Sequence, residues 1–236
     1  MQFPSPLLRG TLVKRYKRFL ADVILENGDE ITAHVANSGS MLGLKEAGTE
    51  VWLSQSDNPK RKLKYSWELV RDGTGLVGIN TMLPNKLVTE AIKAGKIPEL
   101  MGYGGLRQEV RYGKNSRIDI LLTDEARPDC YVEIKSVTLR RDSETNGRAE
   151  FPDAVTTRGT KHLGELSDMV AAGSRAVMFY LVQREDCSFF SVANDIDPAY
   201  AAGLTEAIRV GVEVICYACR LTPNEIVIER SLPIRL

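Results

Sequence analysis

The sequence changes its pattern near residue 80, and this change limits the folds open to the chain. Before that point, short apolar and β-branched runs alternate with turn-forming residues and show no helical period. After it, the apolar spacing predicts a helix, three strands, a helix and a buried strand, then a third helix and two late strands. The 236 residues therefore divide into a small β domain over 1–80 and a mixed α/β domain over 81–236.

The strand-like runs of the first domain are short enough for a small closed barrel. Turn signals at "ENGD", "NSGS", "EAGT" and "DNPK" separate "GTLVKRYKRFLADVIL", "EITAHVAN", "EVWLSQSD" and "KYSWELVRD". These runs amount to about five short strands, if the first is a long bent strand counted as two halves, and they predict an OB-like β-barrel. Such barrels often bind nucleic acid, although a fold alone does not establish a function.

In the second domain the predicted elements alternate in type. "PNKLVTEAIKAGKI" is predicted to be helical, and "GLRQEVRYG", "SRIDILLTD" and "CYVEIKSVTL" are predicted strands. The polar segment "RRDSETNGRAEFPDAVTTRG" reads as a mobile loop before the helix "TKHLGELSDMVAAG" and the strand "SRAVMFYLVQRED". An antiparallel meander followed by a helical crossover predicts a mixed sheet with helices covering its faces.

Two opposite charges interrupt the predicted strand "DCYVEIKSVTL". Glu133 and Lys135 lie on one face of it, where burial is costly unless something binds them. Asp119, on the preceding strand, lies as far from Ala126 as Glu133 does, so a symmetric hairpin places the two carboxylates opposite each other, with Cβ atoms ~5 Å apart. Lys135 offsets one of the two charges, which leaves a net negative pocket.

A hard divalent cation, Mg²⁺ or Mn²⁺, is an economical occupant of such a pocket, held by one or two carboxylates and water. It would polarise a phosphoryl oxygen, and Lys135 would orient water or stabilise developing charge. The pattern Asp-x(n)-Glu-x-Lys on a hairpin resembles the signature of the restriction-endonuclease-like fold, the PD-(D/E)XK superfamily. The predicted order of elements makes this resemblance more specific. The alternative is a surface network of Glu, Lys and Asp on an edge hairpin.

The net charge is zero, so any contact with nucleic acid must come from local clusters. "KRYKRF" and "NPKRKLKY" interleave cations with an aromatic ring, a pattern that suits phosphate contact and base stacking. A solvated face is an equally good explanation. The cations concerned are Arg15, Lys17, Arg18, Lys60, Arg61 and Lys62.

The hydropathy and the cysteine content of the sequence predict a cytoplasmic protein. The sequence has no apolar run near the ~20 residues that span a bilayer, and no membrane partner is expected. Its four cysteines fit a reducing compartment. Cys216 and Cys219 fall on opposite faces of a predicted strand, so they are expected to be packing residues. The oligomeric state is not indicated, and a homodimer is left open.

Several blocks resemble the sugar fermentation stimulation protein A family, including "RYKRFLADV", "INTMLPNKLVTEAI", "NSRIDILL", "CYVEIKSVTL" and "FPDAVTTRGTKHLGEL". The resemblance covers residues 3–236. It implies an OB-like domain followed by a restriction-endonuclease-like domain, in a DNA-binding protein linked to control of sugar, particularly maltose, metabolism. The superfamily pattern maps onto Asp119, Glu133 and Lys135. Glu90 matches the acidic residue that the first helix often adds, and Glu109, in a predicted strand, is its competitor.

Two classes of function follow from these observations. One is a metal-dependent nuclease; the other is a non-catalytic DNA-binding regulator that retains the fold. A nucleotide or sugar-phosphate binder is a third reading. Lys161 and His162, at the start of the second helix, are secondary candidates because side chains there can face the pocket.

Overall fold

The strands of the first domain form a closed OB-like barrel. The protein was studied as a computed structural model that describes residues 1–113, 115–141 and 147–236. The barrel strands are β1 (Leu8–Tyr16), β2 (Leu20–Leu25), β3 (Glu30–His34), β4 (Glu50–Gln55), β5 (Tyr65–Asp72) and β6 (Gly75–Gly78). They pair in the order β3-β2-β1-β4-β5-β6, and a parallel pairing of β3 with β5 closes the ring. The predicted barrel is therefore confirmed.

Three connections lie at one end of this barrel. The long first run of the sequence is a hairpin rather than a bent strand, because the backbone turns sharply between β1 and β2. Leu20, just after this turn, pairs with His34 at the end of β3. His34 in turn pairs with Ser66, next to the loop between β4 and β5. The β1–β2 turn, the β4–β5 loop and the segment that leaves β3 therefore share one end, called here the basic end of the barrel.

The second domain is a mixed sheet covered by helices. Its elements are α1 (Pro84–Lys93), a 3₁₀ turn (Pro98–Leu100), β7 (Gly105–Tyr112), β8 (Ser116–Asp124), β9 (Arg127–Val137), β10 (Arg148–Phe151), α2 (Thr157–Ala171), β11 (Arg175–Val182), β12 (Phe189–Val192), α3 (Pro198–Arg209), β13 (Glu213–Leu221) and β14 (Ile226–Ser231). The main sheet runs β14-β13-β11-β9-β8-β7, with β9, β11 and β13 parallel and the other pairs antiparallel. The predicted mixed α/β fold is confirmed. Among the described residues, no helix is long and apolar enough to cross a membrane.

The helices cover the main sheet on both faces, as alternation along the strands requires. On one face, Leu87 and Ala91 of α1 lie one helical turn apart and pack in a core with Val132 of β9. On the other face, Leu166 of α2 joins the core that contains Met178 of β11. Burial of each large apolar side chain contributes roughly 1.5–3 kcal/mol. Asp119 of β8 and Glu133 of β9 lie near the starts of α1 and α2, respectively.

The two domains are joined by direct contacts. Trp67 is buried inside the barrel, whereas Trp52 belongs to the apolar core that continues into the second domain. Arg184, which follows β11, donates to Asp72 of the barrel at 2.6 Å. The Gly78 N–H donates to the carbonyl of residue 183 at 2.9 Å, so β6 continues into the second domain through the backbone.

Some elements differ from the sequence expectation. The polar segment predicted as a loop contains strand β10, which pairs in parallel with β12. Helix α2 begins at Thr157, earlier than predicted, because the Thr156 side chain caps it by accepting from the Gly159 N–H. Residues 142–146, also in the predicted loop, lie outside the described residues. The free thiols of Cys216 and Cys219 are buried on opposite faces of β13, as predicted for packing residues.

Candidate active-site cleft

A cleft of about 600 Å³ lies where the basic end of the barrel meets the second domain. One wall comes from the barrel, from the segment after β3 that includes Asn37 and Gly39. The opposite wall is formed by β8, β9 and the start of α2. Asp119, Glu133 and Lys135 all line this cleft, so the structure brings together the three residues of the predicted pattern.

Glu133 is a deeply buried carboxylate of the cleft, at 3% exposure. It lies on β9 opposite Met178 of β11, in the interior of the sheet. Its Oε1 atom contacts Lys135 Nζ at 2.5 Å and also hydrogen-bonds to His162 Nδ1 of α2. Its Oε2 atom is buried and has no hydrogen-bond partner among the residues that the structure describes. A buried carboxylate oxygen without a partner is costly, so this atom marks a place for a ligand.

Asp119 lies beside Glu133 at the point where the β8–β9 ladder ends. The last pair of the ladder is Ile120 with Val132, and the next positions in the same register are 119 and 133, the two predicted to be opposite each other. A register shift between Leu122 and Asp124 separates this part of the ladder from the turn. The Ile134 N–H donates to Asp119 Oδ2 at 2.7 Å, and Asn85 Nδ2 donates to Oδ1 at 2.9 Å. These bonds fix the carboxylate between β9 and the start of α1.

The pKa values of the two carboxylates are shifted in opposite directions. Burial, together with the charge of Glu133, raises the pKa of Asp119 to about 6, despite its hydrogen bonds. Burial also opposes ionisation of Glu133, but the charge of Lys135 and the contact with His162 outweigh it and lower the pKa of Glu133. Near neutral pH both groups are ionised, and Asp119 is close to its protonation threshold. With a single lysine between them, the pocket keeps the negative charge that the sequence predicted.

The structure does not bring Glu90 to this cleft, which corrects the prediction that it joins Asp119 and Glu133. Glu90 lies on the far side of α1, where its carboxylate pairs with the Met1 ammonium at 3.0 Å. Glu109 lies in the cleft instead, and Asn85 Nδ2 donates to its Oε1 at 3.1 Å. Asn85 therefore links Glu109 to Asp119. The competitor considered from the sequence is the acidic residue that the geometry favours.

Glu109 reaches this position because β7 is distorted there. Its neighbours Gln108 and Val110 pair with Ile120 and Ile118, which puts Glu109 across from Asp119. Its φ of +53° is rare for a residue with a side chain. Such a conformation persists only where the surroundings enforce it, and it often occurs at functional sites. Glu109 is exposed at the rim of the cleft.

Sequence reasoning missed other polar residues of the cleft. Asn85 falls at the start of the predicted helix, and no sequence pattern indicates that its amide links two acidic side chains. Glu150 fell in the predicted loop; it is buried, and Arg141 binds both of its carboxylate oxygens, at 2.8 and 2.6 Å. Of the secondary candidates, His162 lines the cleft, whereas Lys161 binds Ser116 and Glu165 outside it.

The available donor atoms limit how a metal ion could be held. Within the described residues, no group of three or more His, Cys, Asp or Glu side chains is arranged to hold one. A cation in the cleft would therefore rest on one or two carboxylates, which is the usual arrangement for Mg²⁺. The unpartnered Oε2 of Glu133 beside Asp119 fits such an ion, while Glu150, saturated by Arg141, does not.

The predicted basic clusters divide into two kinds. Arg15 is a structural residue, because its guanidinium donates to the backbone carbonyls of Asn37 at 2.9 Å and Gly39 at 3.1 Å, in the wall of the cleft. Arg61 is half-buried and donates to Ser66 Oγ at 2.6 Å. The remaining four are exposed at the basic end and are called here the barrel-end cations: Lys17, Arg18, Lys60 and Lys62. Phe19, also exposed, lies beside them.

A solved structure matches the whole chain. This structure, described as "The structure of Pyrococcus Furiosus SfsA in complex with Ca2+", superposes with a TM-score of 0.89 at 26% identity, over 100% of this chain and 98% of that one. The barrel and the mixed sheet described above are thus shared in full with that protein.

Sequence comparison identifies the same group. A family model described as the sugar fermentation stimulation protein RE domain matches residues 82–225, and one described as the SfsA N-terminal OB domain matches residues 13–79. A sugar fermentation stimulation protein homolog of Paramagnetospirillum magneticum is 61% identical, over 96% of this chain and 94% of its own length. One of Rhodospirillum rubrum is 60% identical over 99% of both chains. The chain therefore belongs to the sugar fermentation stimulation protein (SfsA) family.

Proposed function

We propose that this protein binds DNA and hydrolyses phosphodiester bonds with the help of a divalent cation, Mg²⁺ or Mn²⁺. The observation that carries the proposal is the buried, unpartnered Oε2 of Glu133 next to Asp119 in an open cleft. A protein that only binds an anionic ligand gains nothing from net negative charge in its cleft. The arrangement agrees with the PD-(D/E)XK pattern that the sequence suggested.

Asp119 and Glu133 would hold the cation, and Glu109 at the rim would contribute through water. When bound, the ion would polarise a phosphoryl oxygen and lower the pKa of a water molecule. The structure of the Pyrococcus furiosus relative is of a complex with Ca²⁺, another cation that prefers oxygen ligands. This relative supports a cation-binding family, and the donor atoms in this chain support the same role.

Lys135 has a separate part in the proposed reaction. Its Nζ lies 2.5 Å from Glu133 Oε1 with a side chain only 14% exposed, so the ammonium is held at the wall of the cleft. From there it stabilises negative charge that develops on the phosphate in the transition state. Because this contribution arises mainly in the transition state, it should appear in the rate of cleavage rather than in the affinity.

The path of the DNA is suggested by the shared end of the barrel. The barrel-end cations lie on the turns next to the segment that leaves β3 and forms one wall of the cleft. Phosphates bound by these cations would lead the strand toward Asp119 and Glu133. The exposed ring of Phe19 offers a surface for stacking a base.

A non-catalytic DNA-binding regulator is the second candidate, and one observation favours it. Both oxygens of Asp119 already accept hydrogen bonds, and Lys135 is engaged with Glu133, as in a closed structural network. In this reading, control of sugar metabolism, the role that the family name suggests, would rest on DNA binding alone.

Incubation of the protein with supercoiled, linear and single-stranded DNA and with RNA, in Mg²⁺ or Mn²⁺, distinguishes the two candidates. We expect the wild type to cleave and Glu133→Gln to be inactive, with Glu90→Gln as a matched control that keeps its activity. Lys135→Ala should reduce cleavage by ~10²–10³-fold while leaving affinity in Ca²⁺ unchanged. DNA binding without cleavage in either cation would refute the nuclease and support the regulator.

A further inference from the structure

His162 connects the candidate site to the start of α2. Its side chain is buried, at 3% exposure, although it lies on a helix whose other residues near it are mostly apolar or exposed. Nδ1 contacts Glu133 Oε1, and Nε2 lies 3.3 Å from Nε of Arg158, one helical turn earlier. Both ring nitrogens therefore have a defined partner within the cleft.

These partners determine where the proton of the imidazole lies. An arginine guanidinium has only donors and stays protonated, so Nε2 of His162 must accept from Arg158. In a neutral ring the proton is then on Nδ1, and it is donated to the Glu133 carboxylate. The chain Arg158→His162→Glu133 is therefore a directed series of hydrogen bonds.

These hydrogen bonds determine which carboxylate oxygen of Glu133 is left to bind a ligand. His162 and Lys135 both bind Oε1, from different elements, and together they fix the rotation of the carboxylate. Oε2 is left without a partner among the described residues. We infer that His162 is a positioning residue, which orients Glu133 so that Oε2 serves the divalent cation, and that Arg158 fixes the tautomer this requires. The inference rests on the proposed cation site.

A packing role for His162 predicts different behaviour. If the ring merely filled space next to Leu163 and Leu166, an apolar side chain of similar volume would serve equally well. If it orients Glu133, only a side chain with a donor near Nδ1 can replace it. Partners that orient a metal ligand typically account for ~10–100-fold in metal affinity.

The test measures Mn²⁺ affinity, by electron paramagnetic resonance of the free ion, on the full-length protein without DNA. His162→Leu should weaken Mn²⁺ binding by ~10–100-fold, and His162→Asn, which retains an amide donor, should restore most of it. His34→Leu removes the only other histidine of the chain and should leave the affinity unchanged. Equal affinity in wild type and His162→Leu would overturn the inference while leaving the cation site intact. Absence of Mn²⁺ binding in the wild type would instead refute the proposed function, and the inference with it.

A second measurement holds even if the His162 variants fail to fold. ¹⁵N nuclear magnetic resonance of the imidazoles, assigned with His34→Leu, reports the tautomer of His162 in the wild type. We expect a protonated Nδ1 and a free Nε2, and a mixture of tautomers in Arg158→Met. A wild-type His162 that carries its proton on Nε2 would overturn the proposed direction of the hydrogen bonds.

Discussion

Arg184 is the buried cation of the joint between the two domains, and its replacement should destabilise the protein strongly. The side chain is 1% exposed. Its Nε donates to Asp186 Oδ1 at 2.6 Å, its Nη1 to the Thr138 carbonyl at 2.8 Å, and its Nη2 to Asp72 Oδ2 at 2.6 Å. The guanidinium thus ties the end of strand β9, the segment after β11 and the barrel together.

The expected loss in the free energy of unfolding depends on which interactions each partner of Arg184 keeps. Removing one member of a buried ion pair costs ~3–5 kcal/mol, because the other charge stays buried. Asp186 keeps Arg140 at 2.5 Å, so Arg184→Ala should fall at the lower end, ~3 kcal/mol. Asp72 is 38% exposed and regains water when its partner is lost, so Asp72→Asn should cost only ~1 kcal/mol or less.

Urea denaturation followed by tryptophan fluorescence tests this ranking, since Trp52 reports the joint and Trp67 the barrel interior. With a slope of ~1–3 kcal/mol per molar urea, a loss of ~3 kcal/mol moves the midpoint by roughly 1–3 M. Arg184→Lys, which keeps the charge but loses the planar fork, should give an intermediate value. An unchanged midpoint in Arg184→Ala, or an equal loss in Asp72→Asn, would refute the reasoning.

Four further predictions concern the cleft and the barrel. Mn²⁺ at about 100 times its dissociation constant should stabilise the wild type by ~2.7 kcal/mol in thermal scans, an effect that Glu133→Gln removes and Glu90→Gln retains. Because the pKa of Asp119 is raised from 3.8 to about 6, the folded state binds the extra proton between these values and loses stability as pH rises. The free energy of unfolding of Asp119→Asn, relative to that of the wild type, should therefore be up to ~3 kcal/mol higher at about pH 7 than at about pH 4, as measured by urea denaturation. An equal difference at both pH values would contradict this sign. Replacement of all four barrel-end cations by alanine should reduce the slope of log affinity against log salt concentration for duplex DNA by up to ~3–4, as measured by fluorescence anisotropy. An unchanged slope would mean that these cations are only solvated and do not contact DNA. Arg15→Ala should instead lower the melting temperature, because its guanidinium holds backbone carbonyls.

The long elements of the fold could be predicted because their signals are local. The apolar run of β11 and the stripe of α1 each carry enough periodic residues to decide strand or helix. The four-residue strands β6, β10 and β12 could not be predicted in the same way. The pairing of β10 with β12 joins segments that are distant in sequence, such as Arg148 with Phe189, and no local pattern reports it. Strand β6 pairs with the adjacent β5, but four residues are too few to show a period.

In the candidate site, too, only the features with local sequence signals could be predicted. Asp119 and Glu133 could be brought together from the sequence because they lie on adjacent strands of one hairpin, although a register shift between Leu122 and Asp124 makes that hairpin asymmetric. The prediction that Glu90 joins the site is wrong because a helix has several faces, and the sequence does not indicate which of them meets the cleft. The sequence does not place Glu109 at the site, because strand alternation assumes a regular backbone and the positive φ of Glu109 departs from it. The sequence also does not separate Arg15 from the barrel-end cations, because a guanidinium bound to carbonyls and one exposed to water are identical in sequence.

The shared wall of the cleft affects how this protein can be divided. The barrel supplies Asn37 and Gly39 to the cleft, and Asp153 of the second domain accepts from Ser40 Oγ at 3.2 Å and the Met41 N–H at 3.2 Å. A cut near residue 80 would leave the second domain with an open pocket and would expose the apolar side of Trp52 on the other half. The two domains are separate in topology, yet neither is an independent module for truncation or for exchange between relatives.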